Sequence, residues 1–143
     1  MPSDPKEIAP APARRVLLVD DYPDALEVWA LLLEASGYSV LTASSGAAAL
    51  RHVDESAPHV AVLDLQLPDV SGLEIARRLR AGAGTSSMTL IALTGRALTP
   101  DGEKELAETF DSVLIKPCDA AVLLASIEKS IRAARVPRSE PHG

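Results

Sequence analysis

The chain of 143 residues has a single cysteine, Cys118, so no disulfide and no multi-cysteine metal cluster can form within it. Such usage fits a reducing compartment. No apolar run approaches the roughly 20 residues that cross a bilayer. The first fifteen residues, rich in Pro and Ala, lack the apolar stretch of a signal peptide. A cytoplasmic protein without membrane insertion is therefore expected. Aromatic residues are scarce, at 3%, and the core has to be packed from Val, Leu, Ile and Ala. Positive charge is not in surplus either. A net charge of -6 and a pI near 5.0 argue against a general nucleic-acid or membrane-surface binder. Hydrophobic residues at 47% exclude a disordered chain. The length suits one domain with a core of ordinary size.

What is present is an alternation. Short apolar runs occur at Val16–Val19, Ser39–Thr42, Val60–Leu63, Thr89–Leu93 and Val113–Ile115. Each is too short for a typical helix, and apolar side chains on successive positions suit strands buried on both faces. Between them lie helical patterns. Ala25, Val28, Trp29, Leu32 and Leu33 recur at helical spacing, with Gly37 as a C-terminal stop. Four more helices are expected at Gly46–Val53, Gly72–Arg80, Asp101–Glu108 and Ala120–Ala134. Five strand–helix repeats imply an α/β, doubly wound parallel sheet in a three-layer α/β/α sandwich. Residues 1–15, with prolines at 2, 5, 10 and 12, read as a flexible lead-in. Residues 16–134 form the domain, and 135–143 a flexible tail.

Open parallel sheets gather their chemistry at the carboxyl ends of the strands. Asp20 and Asp21 end the first strand, Asp64 ends the third, Thr94 follows the fourth and Lys116 the fifth. Three carboxylates brought to one edge repel one another unless something neutralises them. A hard divalent cation does so, and magnesium suits a site of few carboxylates. A carboxylate beside such a cation can attack a phosphoryl group to form an aspartyl phosphate. The Lys116 ammonium offers a further positive contact to phosphoryl oxygens, and the Thr94 hydroxyl a hydrogen bond once such oxygens are present.

These residues fall in the segments Val-Leu-Leu-Val-Asp20-Asp21 with Pro23, and Val-Leu-Asp64-Leu-Gln-Leu-Pro68 followed by Gly72. Ala-Leu-Thr94-Gly and Leu-Ile-Lys116-Pro117 complete the set. In this order the chain resembles, over about residues 14–134, the receiver domains of two-component response regulators, with their CheY-like, flavodoxin-like (βα)5 fold. The resemblance implies Asp64 as phosphoacceptor and magnesium held by Asp20, Asp21, Asp64 and the backbone carbonyl of Gln66. It also implies Thr94 as switch hydroxyl, Lys116 as phosphoryl-binding ammonium and a cis peptide before Pro117. The implied partners are a sensor histidine kinase or histidine phosphotransfer protein and a downstream protein target. The chain departs from the family at Val113, where an aromatic is usual, at Thr109, where a glycine is usual, and at His59.

The segments outside residues 16–134 are short, so output is expected through protein contacts and not through an attached output domain or direct nucleic-acid binding. The fourth helix, last strand and last helix form the expected contact surface, which also suits dimerisation. Two other functions fit parts of the pattern. A phosphatase using Asp64 as transient nucleophile would need an acid/base aspartate where Gln66 stands. A phosphate-independent pseudo-receiver would commonly have lost an acid or the lysine. Taken alone, Asp20-Asp21 reads as a helix cap, Trp29 and Cys118 as packing residues, and Arg77, Arg78 and Arg80 as a solvated helix face.

Overall fold

The computed structural model describes residues 14–95 and 99–135. The expected lead-in at 1–15, apart from Arg14 and Arg15, and the tail beyond Arg135 lie outside these described residues. Five strands, β1 (Arg15–Val19), β2 (Ser39–Ala43), β3 (Val60–Asp64), β4 (Thr89–Thr94) and β5 (Ser112–Ile115), alternate with five helices. The helices are α1 (Pro23–Ala35), α2 (Gly46–Ser56), α3 (Gly72–Ala81), α4 (Pro100–Thr109) and α5 (Ala120–Arg135). All strand pairs are parallel, in the order β2-β1-β3-β4-β5. This is the expected flavodoxin-like fold, with each element within three residues of its predicted limits.

The continuous apolar runs follow from burial on two sides. On β1, Leu17 and Val19 pack with Ala61 and Leu63 of β3 against α2, α3 and α4, through Val53, Ile75, Leu79 and Leu106. Val16 and Leu18 face the other way, with Val60 and Val62, onto Leu26 and Leu33 of α1 and Leu123 and Ile127 of α5. Adjacent strand residues thus serve opposite layers, as the period of two requires. The outer strands behave differently. In β2 only Ala43 is buried, and β5 leaves Ile115 exposed. Burial on both faces therefore holds for β1, β3 and β4 alone, because an edge strand has a neighbour on one side.

Helix α1 corrects a second expectation. Its buried residues are Leu26 and Leu33, with Trp29 and Ala30 half-buried, whereas Val28, Leu31 and Leu32 are exposed. The helix carries more apolar residues than its core face can take. Its end is as expected. Gly37, at φ 101°, donates to the Glu34 carbonyl while Tyr38 donates to Leu33, closing the terminus with a left-handed residue.

Strand order reverses between β1 and β3, since the chain leaves β1 toward β2 and returns to the other side. A crevice opens at the carboxyl ends of those strands. Asp20 follows β1 there and Asp64 ends β3.

Candidate functional site

The register of the sheet sets the site. The Asp20 N–H donates to the Ala43 carbonyl at 3.1 Å, Leu65 N–H to Leu93 at 2.9 Å and Lys116 N–H to Thr94 at 2.8 Å. Each strand-to-loop exit is thereby tied to a neighbouring strand. Asp20 and Asp64 are almost wholly buried, Thr94 is buried, and Asp21 is exposed. Carboxylate oxygens of Asp20, Asp21 and Asp64 lie within 4.8 Å of one another. A dense set of hard oxygen donors with one member open to solvent fits a hard divalent cation that retains waters.

The Lys116 ammonium bridges two of the three acids, at 2.8 Å from Asp20 Oδ2 and 3.0 Å from Asp64 Oδ2. The other oxygens are also engaged. Asp20 Oδ1 accepts the Tyr22 N–H at 3.0 Å and Asp64 Oδ1 accepts the Gln66 N–H at 2.9 Å. Burial alone would lower the Lys116 pKa, but the hydrogen bonds and charges of Asp20 and Asp64 outweigh it and raise it above its ordinary value. The lysine is therefore cationic at neutral pH and held by electrostatics that a phosphoryl group could redirect. The Lys116–Pro117 peptide is cis, as the resemblance implied.

Two features of the loop after Asp64 are not legible in the sequence. A Cβ on Gly72 would overlap the Asp64 carbonyl oxygen, so only glycine lets α3 begin against the end of β3. Asp69 reaches across to α2, accepting Gly46 N–H at 2.8 Å on Oδ1 and Ala47 N–H at 3.0 Å on Oδ2. Those backbone hydrogen bonds, first from Gly46 and then from Ala47, pull the Asp69 pKa below its ordinary value. An acid directly after Leu67 and Pro68 reads as an ordinary turn residue. Nothing local signals that it serves a helix start 23 positions away.

Beside the acids lies a cavity of about 500 Å³ lined by Tyr22, Ala25 and Trp29 on one side and Pro117 and Cys118 on the other. Asp20, Asp21 and Lys116 also line it. Trp29 thus packs against the core and also faces this space, so the reading of it as packing alone is incomplete. Cys118 is half-buried, and burial, followed by the charge of Asp119, pushes its thiol pKa up. That is the reverse of what a reactive thiolate needs. A larger groove, about 710 Å³ between α1 and α2, contains none of the charged groups of the site.

Residues 16–128 match the sequence model of the response regulator receiver domain. The chain is 37% identical over 117 residues to the transcriptional regulatory protein KdpE of Mycobacterium tuberculosis, covering 82% of this chain and 50% of that protein. It is 32% identical over 133 residues to the virulence sensor protein BvgS of Bordetella pertussis, covering 90% of this chain and 11% of that protein. Among solved structures, a CheY-like receiver domain protein from Methanospirillum hungatei superimposes with a TM-score of 0.79 at 25% identity, over 87% of this chain and 98% of that one. A receiver domain protein from Clostridium thermocellum gives 0.77 at 30% identity, over 87% and 99%. The chain spans about half the length of KdpE. Among the described residues no helix is long and apolar enough to cross a membrane.

Proposed function

The chain belongs to the response regulator receiver domain family, and we propose that it accepts a phosphoryl group on Asp64 from a sensor histidine kinase or a histidine phosphotransfer protein. The carrying observation is the acid cluster bridged by Lys116. A pseudo-receiver has no need for three converging carboxylates, two of them buried, and a partly buried lysine bridging those two, an arrangement whose desolvation is costly.

In this reading an Asp64 carboxylate oxygen attacks the phosphorus while the bond to the donor breaks. The Lys116 ammonium, now shared between Asp20 and Asp64, turns to the phosphoryl oxygens. The Thr94 hydroxyl donates to one of them. A magnesium ion held by Asp20, Asp21, Asp64 and the backbone carbonyl of Gln66 would screen the negative charge that gathers there. The polypeptide is a phosphoacceptor that assists its own modification and is not a turnover enzyme. The reading as a free phosphatase is not favoured, because Gln66 offers no acid/base group at the position where that chemistry needs one.

The modified domain signals by protein contacts in the cytoplasm, through the surface of α4, β5 and α5. Val113 is half-buried against the cluster that holds Leu106 and Phe110. It is too small to swing between two packings as an aromatic would, so α4 itself carries the change. The test is incubation with acetyl phosphate and magnesium, read by intact mass. Wild type should gain one phosphoryl group, and Asp64→Asn should gain none. Equal labelling of the two proteins would refute the assignment of the acceptor.

A further inference from the structure

We propose that the chain carries an anion site at the amino ends of its strands, the end of the sheet opposite Asp64. It takes a tetrahedral oxyanion, either free phosphate or the phosphate of a small monoester, and Arg14, His59 and Ser87 hold it.

Each of these residues stands at a strand entry. Arg14 precedes β1, His59 precedes β3, and Ser87 with Met88 precedes β4. Parallel pairing of β1 with β3 and of β3 with β4 brings the three entries side by side. A cavity of about 260 Å³ opens among them, with Pro58, Gly84 and Met88 in its walls. No carboxylate lines it, although the chain has a net charge of -6. Glu128, whose charge reaches Tyr38 as that of Arg14 does, is not in the lining either. His59 is one of the chain's departures from the receiver pattern and has no part in the chemistry at Asp64.

The backbone sets which groups remain as donors. His59 Nδ1 accepts the Arg15 N–H at 2.9 Å, and His59 N–H donates to the Arg15 carbonyl at 2.9 Å. This pair of bonds fixes the ring, and a neutral imidazole that accepts at Nδ1 carries its proton on Nε2. The Nε2–H is thus the donor left to the cavity. Burial, then the charges of Arg15 and Arg14, hold the His59 pKa below its ordinary value, as positive potential without a counter-charge must. The two arginines differ in what they bind. Arg15 donates to the carbonyls of Ser56 and Ala57, at 2.8 and 2.9 Å, and closes the end of α2. Arg14 makes no ion pair or side-chain hydrogen bond among the described residues, which leaves its planar fork for an anion. Ser87 is exposed and adds a hydroxyl. The N–H groups of Gly84 and Ser87 also have no hydrogen-bond partner among the described residues. Donors alone, backed by two positive charges, suit a small anion. Four oxygens in a tetrahedron engage more of them than a flat carboxylate does.

The test titrates the full chain with sodium phosphate, and separately with glycerol 3-phosphate, without magnesium and at constant neutral pH and ionic strength. The imidazole NMR signals of His59 should shift and saturate, while those of His52 and His142 should not follow. Arg14→Gln should weaken binding by about tenfold and Ser87→Ala by about threefold. Ser87→Ala changes an exposed side chain and carries the test if Arg14→Gln does not fold. Tighter binding of glycerol 3-phosphate would assign the monoester, and equal or weaker binding would assign free phosphate. A His59 signal that neither anion moves, or that chloride or all three histidines reproduce equally, overturns the site. So does an affinity that neither variant changes.

Discussion

Helices α3 and α4 are ten residues each and pack on the same face of the sheet, yet they are held in different ways. Helix α3 buries Gly72, Ile75, Ala76 and Leu79, and its first residue abuts the Asp64 carbonyl. Helix α4 buries Leu106 alone, followed by Phe110 just beyond its end. Both have serine or threonine caps, Ser71 accepting from Glu74 N–H and Thr99 from Gly102 N–H. Local helix signals are therefore alike, and the difference lies in burial. A helix docked through one leucine can shift at little cost, whereas one wedged against the end of β3 cannot. Asp64 thus has a fixed wall on the α3 side and a loosely attached neighbour on the α4 side.

The largest contrast is in the cores of the two helices. Ile75 is fully buried, and Ile75→Ala should cost about 4 kcal/mol in urea unfolding. Leu106→Ala, at the thin α4 contact, should cost nearer to about 2 kcal/mol, because the helix can settle into the space. Equal losses would show that α4 is as firmly seated as α3. The glycines sharpen the point. Gly72→Ala forces a Cβ onto the Asp64 carbonyl oxygen, which is backbone and cannot give way. A loss of about 3 kcal/mol and slower phosphorylation are expected. At Gly102 the nearest atom is Thr99 Oγ1 at 3.2 Å, and Gly102→Ala should change stability by less than about 1 kcal/mol.

A smaller effect concerns Asp69, which ties the loop ahead of α3 to α2. Its folded pKa is depressed, so the carboxylate contributes stability above its unfolded value near 3.8 and loses it as pH falls through the folded one. Asp69→Asn keeps one acceptor oxygen and cannot titrate. The melting temperature of wild type should exceed that of the variant at neutral pH, and the gap should close below about pH 4. A gap independent of pH would mean that the hydrogen bonds to Gly46 and Ala47 do not depend on the charge.

Much of this is legible in the sequence because a parallel sheet places consecutive strand ends side by side. Four of the five apolar runs are followed directly by a polar residue, and that is enough to bring Asp20, Asp64 and Lys116 together. Illegible are the contacts between residues distant in sequence whose types have local explanations. Arg80 reads as part of a solvated face. It bonds instead to the carbonyls of Thr109, Ser86 and Met88 and to Asp111, and so fastens the end of α3 to the entries of β4 and β5. Asp111 in turn accepts the Leu90 N–H. The core face of α1 is misphased by its pattern, since apolar residues surround much of the helix and periodicity alone does not choose Leu26 over Val28. Val113 falls on β5 by its apolar run, but that it faces the α4 layer follows only from the strand's register with Ala92.

The smallest expected effect bears most directly on the comparison. Arg77 of α3 and Glu105 of α4 form an ion pair at 2.5 Å, with both side chains more than half exposed. Such a pair contributes about 0.5 kcal/mol, and salt weakens it. Lost from α3, that amount would vanish among the contacts of Ile75 and Leu79. Lost from α4, it is a sizeable part of what holds the helix. Glu105→Gln should therefore leave global unfolding nearly unchanged, yet speed amide exchange across residues 100–109 by about twofold, which is about 0.5 kcal/mol expressed as a rate ratio. Residues 72–81 should exchange as in wild type. Raising the salt concentration on wild type should reproduce the effect, and on the variant should add little. Exchange that quickens equally in both helices would mean that α3 and α4 open as one unit, and the contrast between a fixed wall and a loose neighbour would fail.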